Sequence, residues 1–386
     1  MVSCDSYARV IHYGQKEAEM GFSYQNTYTW FEDITGEKED VWMMERGLSL
    51  SQSKHRPDLI VENLQTGERH EAGHFSILSI ASLSQSLQKK RNPLPRFELH
   101  VRRSFERLRH VDVAHLQAHA KPKSMFQVAS NFNCAEVAHS SVRIDSGDFV
   151  SNLAIDSTQG PSASASTGVS AITRMHAAFY DRSTNPQTWG QTDDRQVELL
   201  GHPLVSPHFP VINGKLIFRQ TEPRKYYKED LSPNIRIGLH QRARAYFGHR
   251  SPPYMEKIEN PPIIDQVFVS ALNRYAPLPI QDHIEDKTNI LLDAAYSGTY
   301  LAARYCQTKH LVLTLVGGGS FGNPPELIAR AIVQAHIEYG SLTNIESVTL
   351  PLFPIDGFVQ GYDFCALLKE EFAKKGAHDL LNIVYV

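Results

Sequence analysis

A run of glycines lies between an apolar stretch and a helical pattern: Gly317-Gly318-Gly319-Ser320-Phe321-Gly322-Asn323-Pro324. Glycines let backbone N–H groups turn inward around an anion, and a helix that follows directly adds a dipole that favours phosphate. The run lacks the Gly-Lys-Ser/Thr of a Walker loop and does not match GxGxxG. The residues alone leave two interpretations open: a phosphate-binding loop, or a tight turn that permits close packing.

Polar residues follow a second apolar stretch, residues 126–129. Asn131 and Asn133 come first, and Glu136 follows closely. An asparagine amide can donate and accept a hydrogen bond at once, which suits a sugar diol. The alternatives are loop capping by the two asparagines and a solvated charge at Glu136. The small residues 158–164, with Gln159 and Gly160 among them, predict either a second wall of a ligand cleft or a surface linker.

Three aspartates lie near the start of a helical pattern: Asp282, Asp286 and Asp293. Asp293 opens the otherwise apolar segment of residues 293–296, and a carboxylate on an apolar face is costly unless it is paired or functional. A functional carboxylate can stabilise positive charge that develops in a transition state or act on an attacking water. Asp293 is our first candidate and Asp282 the second. A capped or solvated acidic cluster is the alternative.

The segment His70-Glu71-Ala72-Gly73-His74 matches HExxH, in which two histidines on one helical face bind zinc. Its context disagrees with that motif. Gly73 lies inside it, and the preceding residues predict a hairpin rather than a helix. A zinc-dependent hydrolase is therefore only a remote alternative.

The surrounding pattern predicts the elements that position these residues. We expect a hairpin at residues 57–70, a helix at 75–87, strands at 126–129, 264–271, 310–316 and 347–353, and helices at 288–306 and 326–338. Strands that alternate with helices indicate an α/β fold. Residues 1–95 form an expected accessory region. Residues 96–386 form the expected main domain, with an insertion at about 181–262.

The composition restricts the functional classes. The chain has 386 residues, of which 41% are hydrophobic and 21% are charged, with a formal net charge of -3. This balance does not indicate a dominant nucleic-acid-binding surface. The absence of a run of about 18 apolar residues predicts no transmembrane helix, so we expect no membrane partner. Four dispersed cysteines without a CxxC pair argue against a disulfide scaffold and favour a reducing, cytoplasmic compartment.

The glycine run resembles the diphosphate loop of macro domains, in which a strand leads to small-Gly-x-aromatic-Gly-x-Pro and a helix. Phe321 matches the aromatic residue of that loop, whereas Asn323 stands where common macro domains carry an apolar residue. Residues 126–136, 158–164 and 293–299 are similar to a divergent branch typified by MavL-type ADP-ribosyl-ubiquitin hydrolases. The resemblance covers about residues 96–386.

The resemblance implies a macro-domain-like mixed sheet flanked by helices and an ADP-ribosyl hydrolase that acts on a modified protein, with ubiquitin as one such substrate and arginine as the favoured linkage. The glycine run would hold the diphosphate, and Asn131 and Asn133 would fix the distal ribose. Gln159 and Gly160 would belong to a second wall of the ADP-ribose cleft. Asp293, with Asp282 and Asp286, would supply the catalytic carboxylate. No metal or cofactor is required by this scheme. A module that binds ADP-ribose or a related nucleotide without turnover is the alternative.

Overall fold

The computed structural model describes residues 24–44, 48–50, 59–85, 91–136, 148–156, 158–180, 199–200, 209, 211–212, 214–216, 231–251, 254–274 and 284–386. Asp282 lies outside these ranges. The strands are β1 (Tyr24–Asn26), β2 (Leu48–Leu50), β3 (Leu59–Glu62), β4 (Arg69–Glu71), β5 (His74–Ser79), β6 (Arg96–Val101), β7 (Ser124–Ala129), β8 (Val211–Ile212), β9 (Lys215–Leu216), β10 (Arg236–Arg244), β11 (Phe247–Ser251), β12 (Tyr254–Lys257), β13 (Ile263–Val269), β14 (His310–Val312), β15 (Ser347–Leu352), β16 (Phe358–Val359), β17 (Tyr362–Asp363) and β18 (Leu381–Tyr385).

The α-helices are α1 (Trp30–Thr35), α2 (Glu39–Met44), α3 (Ile80–Gln85), α4 (Val113–Ala118), α5 (Gln159–Ser166), α6 (Gly168–Tyr180), α7 (Ile284–Tyr305), α8 (Pro325–Tyr339) and α9 (Phe364–Lys374). Among the described residues, no helix is long and apolar enough to cross a membrane.

An eight-stranded sheet forms the centre of the molecule, in the order β18-β6-β15-β14-β7-β13-β10-β5. The strands from β18 to β13 pair in parallel, and β10 is antiparallel to both of its neighbours. When the chain passes through α7, α8 and α9, each next strand of the sheet lies closer to β18. When it passes through α4, α5 and α6, the next strand lies closer to β5. Because crossovers between parallel strands are right-handed, α7, α8 and α9 cover one face of the sheet and α4 covers the other. The expected α/β class, a mixed sheet flanked by helices, is confirmed.

The central strands are apolar on both faces because helices cover both. In β7, Met125, Phe126 and Val128 are fully buried, and burial of each such side chain contributes about 1.5–3 kcal/mol. Gln127 is the polar exception. Its Oε1 accepts the N–H of Thr314 at 3.1 Å, and its Nε2 donates to the hydroxyl of Thr299 at 2.8 Å. The hydrogen-bonded amide of Gln127 thus connects β7 to α7 and to the segment after β14.

Two expected elements differ from the structure. The expected helix at residues 75–87 is wrong in its first half, because β5 occupies His74–Ser79 and only α3 is helical. Antiparallel pairing with β10 gives those residues a ladder that local spacing does not reveal. The strand expected at 310–316 ends at Val312. The hydroxyl of Tyr296 donates to the carbonyl of Thr314 and accepts the N–H of Val316, so the chain leaves the ladder there. The other expected strands and helices and the 57–70 hairpin are confirmed, with shifted ends.

The central sheet takes strands from several parts of the chain. β5 belongs to the first 95 residues and forms one edge of the sheet, next to β10 from the stretch expected to be an insertion. β1 pairs with β12 in a separate three-stranded sheet that also contains β11. The proposed division at residue 95 stays a prediction.

Candidate functional site

Three loops meet at the carboxyl edge of the central parallel strands. The asparagine loop (residues 130–136) follows β7, the glycine loop (residues 317–324) follows β14, and residues 270–274 follow β13. The N–H of Arg274 donates to the carbonyl of Phe321 at 2.8 Å, and the side-chain amide of Asn323 donates to the carbonyl of Leu272 at 2.7 Å. This edge of an α/β sheet is where ligands commonly bind.

Two side-chain amides hold the glycine loop in shape. The Nδ2 of buried Asn323 donates to Gly317 O at 3.1 Å, in addition to its bond with Leu272. The Nε2 of Gln360 donates to the carbonyls of Gly318 and Asn323 at 2.9 and 3.0 Å. Gly317 has a φ of 72°, and a Cβ there would lie 2.3 Å from the Asn323 amide nitrogen. Only glycine therefore fits at this turn.

The same loop offers free backbone donors. No acceptor in the described part of the chain reaches the N–H groups of Gly319, Ser320 or Phe321. Gly319 and Ser320 are exposed, and a Cβ added at Gly319 would meet nothing within 4 Å. Successive free N–H groups in a turn form a concavity that suits an anion.

Helix α8 begins directly after these donors. Pro324 is its N-cap, and Pro325 occupies its first position, where the absent N–H costs nothing. The 15-residue helix adds a partial positive charge at this end, although Glu326 in the first turn opposes it. Loop and helix together can bind a phosphate or diphosphate group.

The asparagine loop is built differently, because its side chains are turned inward. The Nδ2 of Asn131 donates to the carbonyl of Ala135 at 2.8 Å, and the Oδ1 of Asn133 accepts the N–H of Ala135 at 3.1 Å. Both asparagines are 7% exposed. A Cβ at Gly214 would lie 2.4 Å from the Asn133 side chain, so the β8–β9 turn packs directly on it. These contacts are those of capping asparagines, and the ribose role of both residues stays a prediction.

Gln159 and Gly160 bring helix α5 against the end of β7. The side chain of Gln159 accepts the N–H of Ala129 at 3.0 Å and donates to the carbonyl of Gln127 at 3.2 Å. A Cβ at Gly160 would lie 2.2 Å from the carbonyl oxygen of Ala129. The surface-linker interpretation of this segment is wrong, because residues 160–166 form a buried part of α5.

A buried ion pair lies beneath this contact. Glu136 ends the asparagine loop, and its Oε2 lies 4.0 Å from Nη2 of Arg174 on α6, with both side chains almost fully buried. The guanidinium of Arg174 also donates to the carbonyl of Cys134 at 3.1 Å and to the hydroxyl of Ser164 at 2.8 Å. Its Cζ lies 3.8 Å from the centre of the Phe268 ring. These contacts fix the position of the guanidinium, whose charge lowers the pKa of Glu136.

Glu136 has the electrostatics of an acid–base group. Burial raises its pKa to about 7, against a smaller opposing effect of Arg174. A carboxyl group with a pKa near neutrality is present in both protonation states, and such groups are effective general acids and bases. Gly160 allows the close approach, because a Cβ there would lie 2.9 Å from Glu136 Cγ. Glu136 is thus a candidate catalytic carboxylate in the asparagine loop, at the same edge of the sheet as the free N–H groups of the glycine loop.

Two of the three predicted acidic residues, Asp286 and Asp293, lie on α7. The Oδ1 of Asp293 lies 3.7 Å from Nη2 of Arg330 on α8, and its side chain is 13% exposed. Asp293 also lines a cavity of about 410 Å³ between α3, α7 and α8, whose lining includes no residue of the glycine loop. Asp286 is exposed in the first turn of α7. The structure therefore groups Asp293 with a helix–helix contact, and the catalytic role of these acids stays a prediction.

The HExxH segment does not lie on a helix. His70 is in β4 and His74 is in β5, with the left-handed Gly73 between the two strands. A zinc site of this motif needs both histidines on one helical face. The remote zinc-hydrolase alternative therefore loses its structural basis.

Sequence reasoning underrated Glu136 and missed Arg174 and Gln360. A charged residue inside the apolar pattern of α6 was a usable signal, because a buried guanidinium needs a partner. Nothing in the local sequence singles out Gln360, since its role depends on the position of β16 and β17 beside the glycine loop.

No protein-family model and no curated protein matches the chain. Among solved structures, it is similar to poly(ADP-ribose) glycohydrolase from Thermomonospora curvata, with 16% identity, a TM-score of 0.45, and coverage of 86% of this chain and 97% of that chain. It is also similar to poly(ADP-ribose) glycohydrolase from Deinococcus radiodurans in complex with ADP-ribose. That match has 12% identity, a TM-score of 0.43, and coverage of 78% and 94%.

Proposed function

We propose that this protein binds ADP-ribose at the carboxyl edge of its sheet and hydrolyses the bond between ADP-ribose and a modified protein side chain. The observation that carries the proposal is the set of unpaired N–H groups at Gly319, Ser320 and Phe321, directly before α8. The nonbridging oxygens of a diphosphate accept several such bonds at once. Phe321, half-buried at the end of this row, would pack beside the distal ribose.

Glu136 is our leading candidate for the catalytic carboxylate. With a pKa of about 7, it can donate a proton to the leaving group in one state and act on the attacking water in the other. Arg174 would position the carboxylate and favour its ionised form. Asp293 is the second candidate, because its pairing with Arg330 gives it a structural role that needs no substrate.

Asn131 and Asn133 remain our candidates for the distal ribose. Their amides bond to the backbone of Ala135. Sugar hydroxyls can replace these partners without loss of hydrogen bonds, because each asparagine amide donates and accepts. Ribose binding would therefore require a rearrangement of the asparagine loop.

The arginine linkage and ubiquitin as the carrier rest on the sequence resemblance alone. They define the first substrates to test: ADP-ribosyl-arginine peptide and ADP-ribosylated ubiquitin. Serine- and glutamate-linked peptides and poly(ADP-ribose) complete the panel.

The binding half of the proposal is tested by titration calorimetry with ADP-ribose and, as a matched control, AMP. We expect a micromolar Kd for ADP-ribose and binding at least about tenfold weaker for AMP, which lacks the diphosphate and the distal ribose. No heat and no thermal shift with millimolar ADP-ribose would refute the site.

An ADP-ribose-binding module without turnover is the second candidate. It is favoured by the burial of Glu136, whose side chain is only 2% exposed. Tight ADP-ribose binding combined with no release from any substrate in the panel would establish this function instead.

A further inference from the structure

Three potential metal ligands converge between α4 and β12, at the opposite edge of the sheet from the glycine loop. His115 lies in α4, His119 directly follows it, and Glu256 lies in β12. The Nδ1 of His115 is 3.7 Å from one carboxylate oxygen of Glu256, and the Nε2 of His119 is 3.8 Å from the other. The three ligand atoms lie within 4.8 Å of one another.

The histidines are arranged as a chelating pair. Their spacing of one helical turn places both rings on one face, with ring centres 4.2 Å apart. The Nδ1–H of His119 donates to the carbonyl of His115 at 2.9 Å. This bond leaves the Nε2 lone pair directed toward Glu256, which is how backbone carbonyls commonly orient metal-binding histidines.

The Nδ1 atom of His115 and the side chain of Glu256 are buried. The Nδ1 of His115 is buried without a hydrogen-bond partner among the described residues. Glu256 is 6% exposed in its side chain, and the N–H of His249 donates to it at a long 3.4 Å. A Cβ at Gly248 would lie 2.5 Å from this carboxylate, so glycine makes room for it. The buried carboxylate thus faces two imidazole nitrogens at distances longer than an ordinary hydrogen bond.

We propose that His115, His119 and Glu256 bind a divalent transition-metal ion of the zinc class. Two imidazole nitrogens and one carboxylate oxygen are typical zinc ligands. In a tetrahedral zinc site with bonds of about 2.0–2.1 Å, ligand atoms lie roughly 3.3 Å apart. The two nitrogen–oxygen separations, 3.7 and 3.8 Å, need to close by about half an ångström. His119 is 50% exposed in its side chain, so water can occupy the fourth position on its side.

The position of the cluster assigns the ion a structural role. His119 lies shortly before β7 begins, whereas Glu256 belongs to the separate sheet of β1, β12 and β11. A bound ion would therefore tie this small sheet to the central α/β layers. A hydrogen bond between Asp112 and His249 links α4 to β11 at the same contact. Because an ion that binds only the folded state stabilises it, zinc should raise the unfolding temperature.

The test uses the full chain, stripped with a chelator, dialysed and titrated with zinc sulfate alone. We expect one zinc ion per chain by calorimetry and elemental analysis, together with a higher Tm. His119→Ala and Glu256→Gln should each weaken zinc binding by tenfold or more. His378→Ala is the matched control, because His378 is an exposed histidine outside the cluster, and it should bind zinc like the wild type.

Lack of stoichiometric zinc in the wild type, or equal affinity in the wild type and His119→Ala, would overturn the proposal. His119→Ala removes a half-exposed side chain and should fold. If Glu256→Gln unfolds, cobalt(II) absorption of the wild type and of His119→Ala decides the matter: a tetrahedral spectrum lost in the variant supports the site, and one retained rejects it. The result is independent of ADP-ribose binding, which is measured separately in the same samples.

Discussion

The glycine loop and the asparagine loop both lie at the carboxyl edge of the sheet, but they are built in different ways. The glycine loop after β14 exposes its backbone, and the amides of buried Asn323 and exposed Gln360 only hold its shape. The asparagine loop after β7 buries its side chains and ends in the pair of Glu136 with Arg174. The first is suited to bind an anion without a charged side chain, and the second to shift the pKa of a carboxyl group.

The difference shows why binding and catalysis need different environments. Backbone N–H groups keep their donor character at every pH, so they can stay exposed and still recognise a diphosphate. A carboxyl group reaches a pKa near neutrality when its surroundings disfavour its charge, and for Glu136 that cause is burial. If this division is correct, substitutions in the two loops should affect different measured quantities.

The largest expected effect is on turnover in Glu136→Gln. If Glu136 transfers protons in the transition state, its loss should lower kcat by about 100-fold or more. ADP-ribose affinity should change little, because the glycine loop is untouched. Single-turnover hydrolysis and calorimetry on the same variant measure the two quantities. A variant that turns over normally would remove Glu136 from the mechanism and return Asp293 to first place.

The second expected effect is a loss of wild-type stability as the pH rises, caused by the ionisation of Glu136. Folding raises the pKa of Glu136 from an ordinary 4.5 to about 7, so the folded state binds this proton more tightly. The resulting stabilisation is complete below about pH 4.5 and is lost as the pH rises through about 7. By linkage the loss amounts to about 3 kcal/mol at most.

Denaturant unfolding of the wild type and of Glu136→Gln between pH 5 and pH 8 checks this expectation. The stability difference should move in favour of the glutamine variant as the pH rises, because glutamine does not titrate. Differences in packing and hydrogen bonding between the neutral glutamic acid and glutamine add an offset that does not depend on pH. A difference that stays constant over this range would mean that the pKa of Glu136 is ordinary.

The third effect is on affinity in Gly319→Glu. A Cβ added at this position meets no atom within 4 Å, so the fold should be preserved. The added negative charge would lie where the phosphates bind, and affinity for ADP-ribose should fall by about tenfold or more. Gly319→Ala is the matched control and should bind within a few-fold of the wild type. Equal affinity in all three proteins would reduce the glycine loop to a packing turn.

The smallest effect is expected for Asp293→Ala. Its contact with Arg330 is a partly exposed ion pair, whose loss should cost less than about 1 kcal/mol. Turnover should stay within about threefold of the wild type. A loss of 100-fold or more with unchanged ADP-ribose affinity would identify Asp293 as the catalytic carboxylate and break the comparison of the two loops.

Local sequence was sufficient to predict those features that depend on the residue pattern of a single strand, helix or turn. The alternation of apolar strands and amphipathic helices predicted the α/β class, because central strands covered on both faces must be apolar throughout. The glycine run predicted a turn with accessible backbone, since Gly317 adopts a φ that other residues disfavour. Both inferences depend on covalent geometry and periodicity, which a chain carries in any environment.

Only the tertiary structure decided which polar residues share a site. The pairing of Glu136 with Arg174, the attachment of Gln360 to the glycine loop and the approach of Glu256 to His115 all join residues distant in sequence. The residues of β5 form a strand because β10 supplies the ladder. A pKa depends on burial and on neighbouring charges, and both arise only when the layers pack. For that reason the sequence identified the glycine loop, whereas the position of the candidate acid–base group had to come from the fold.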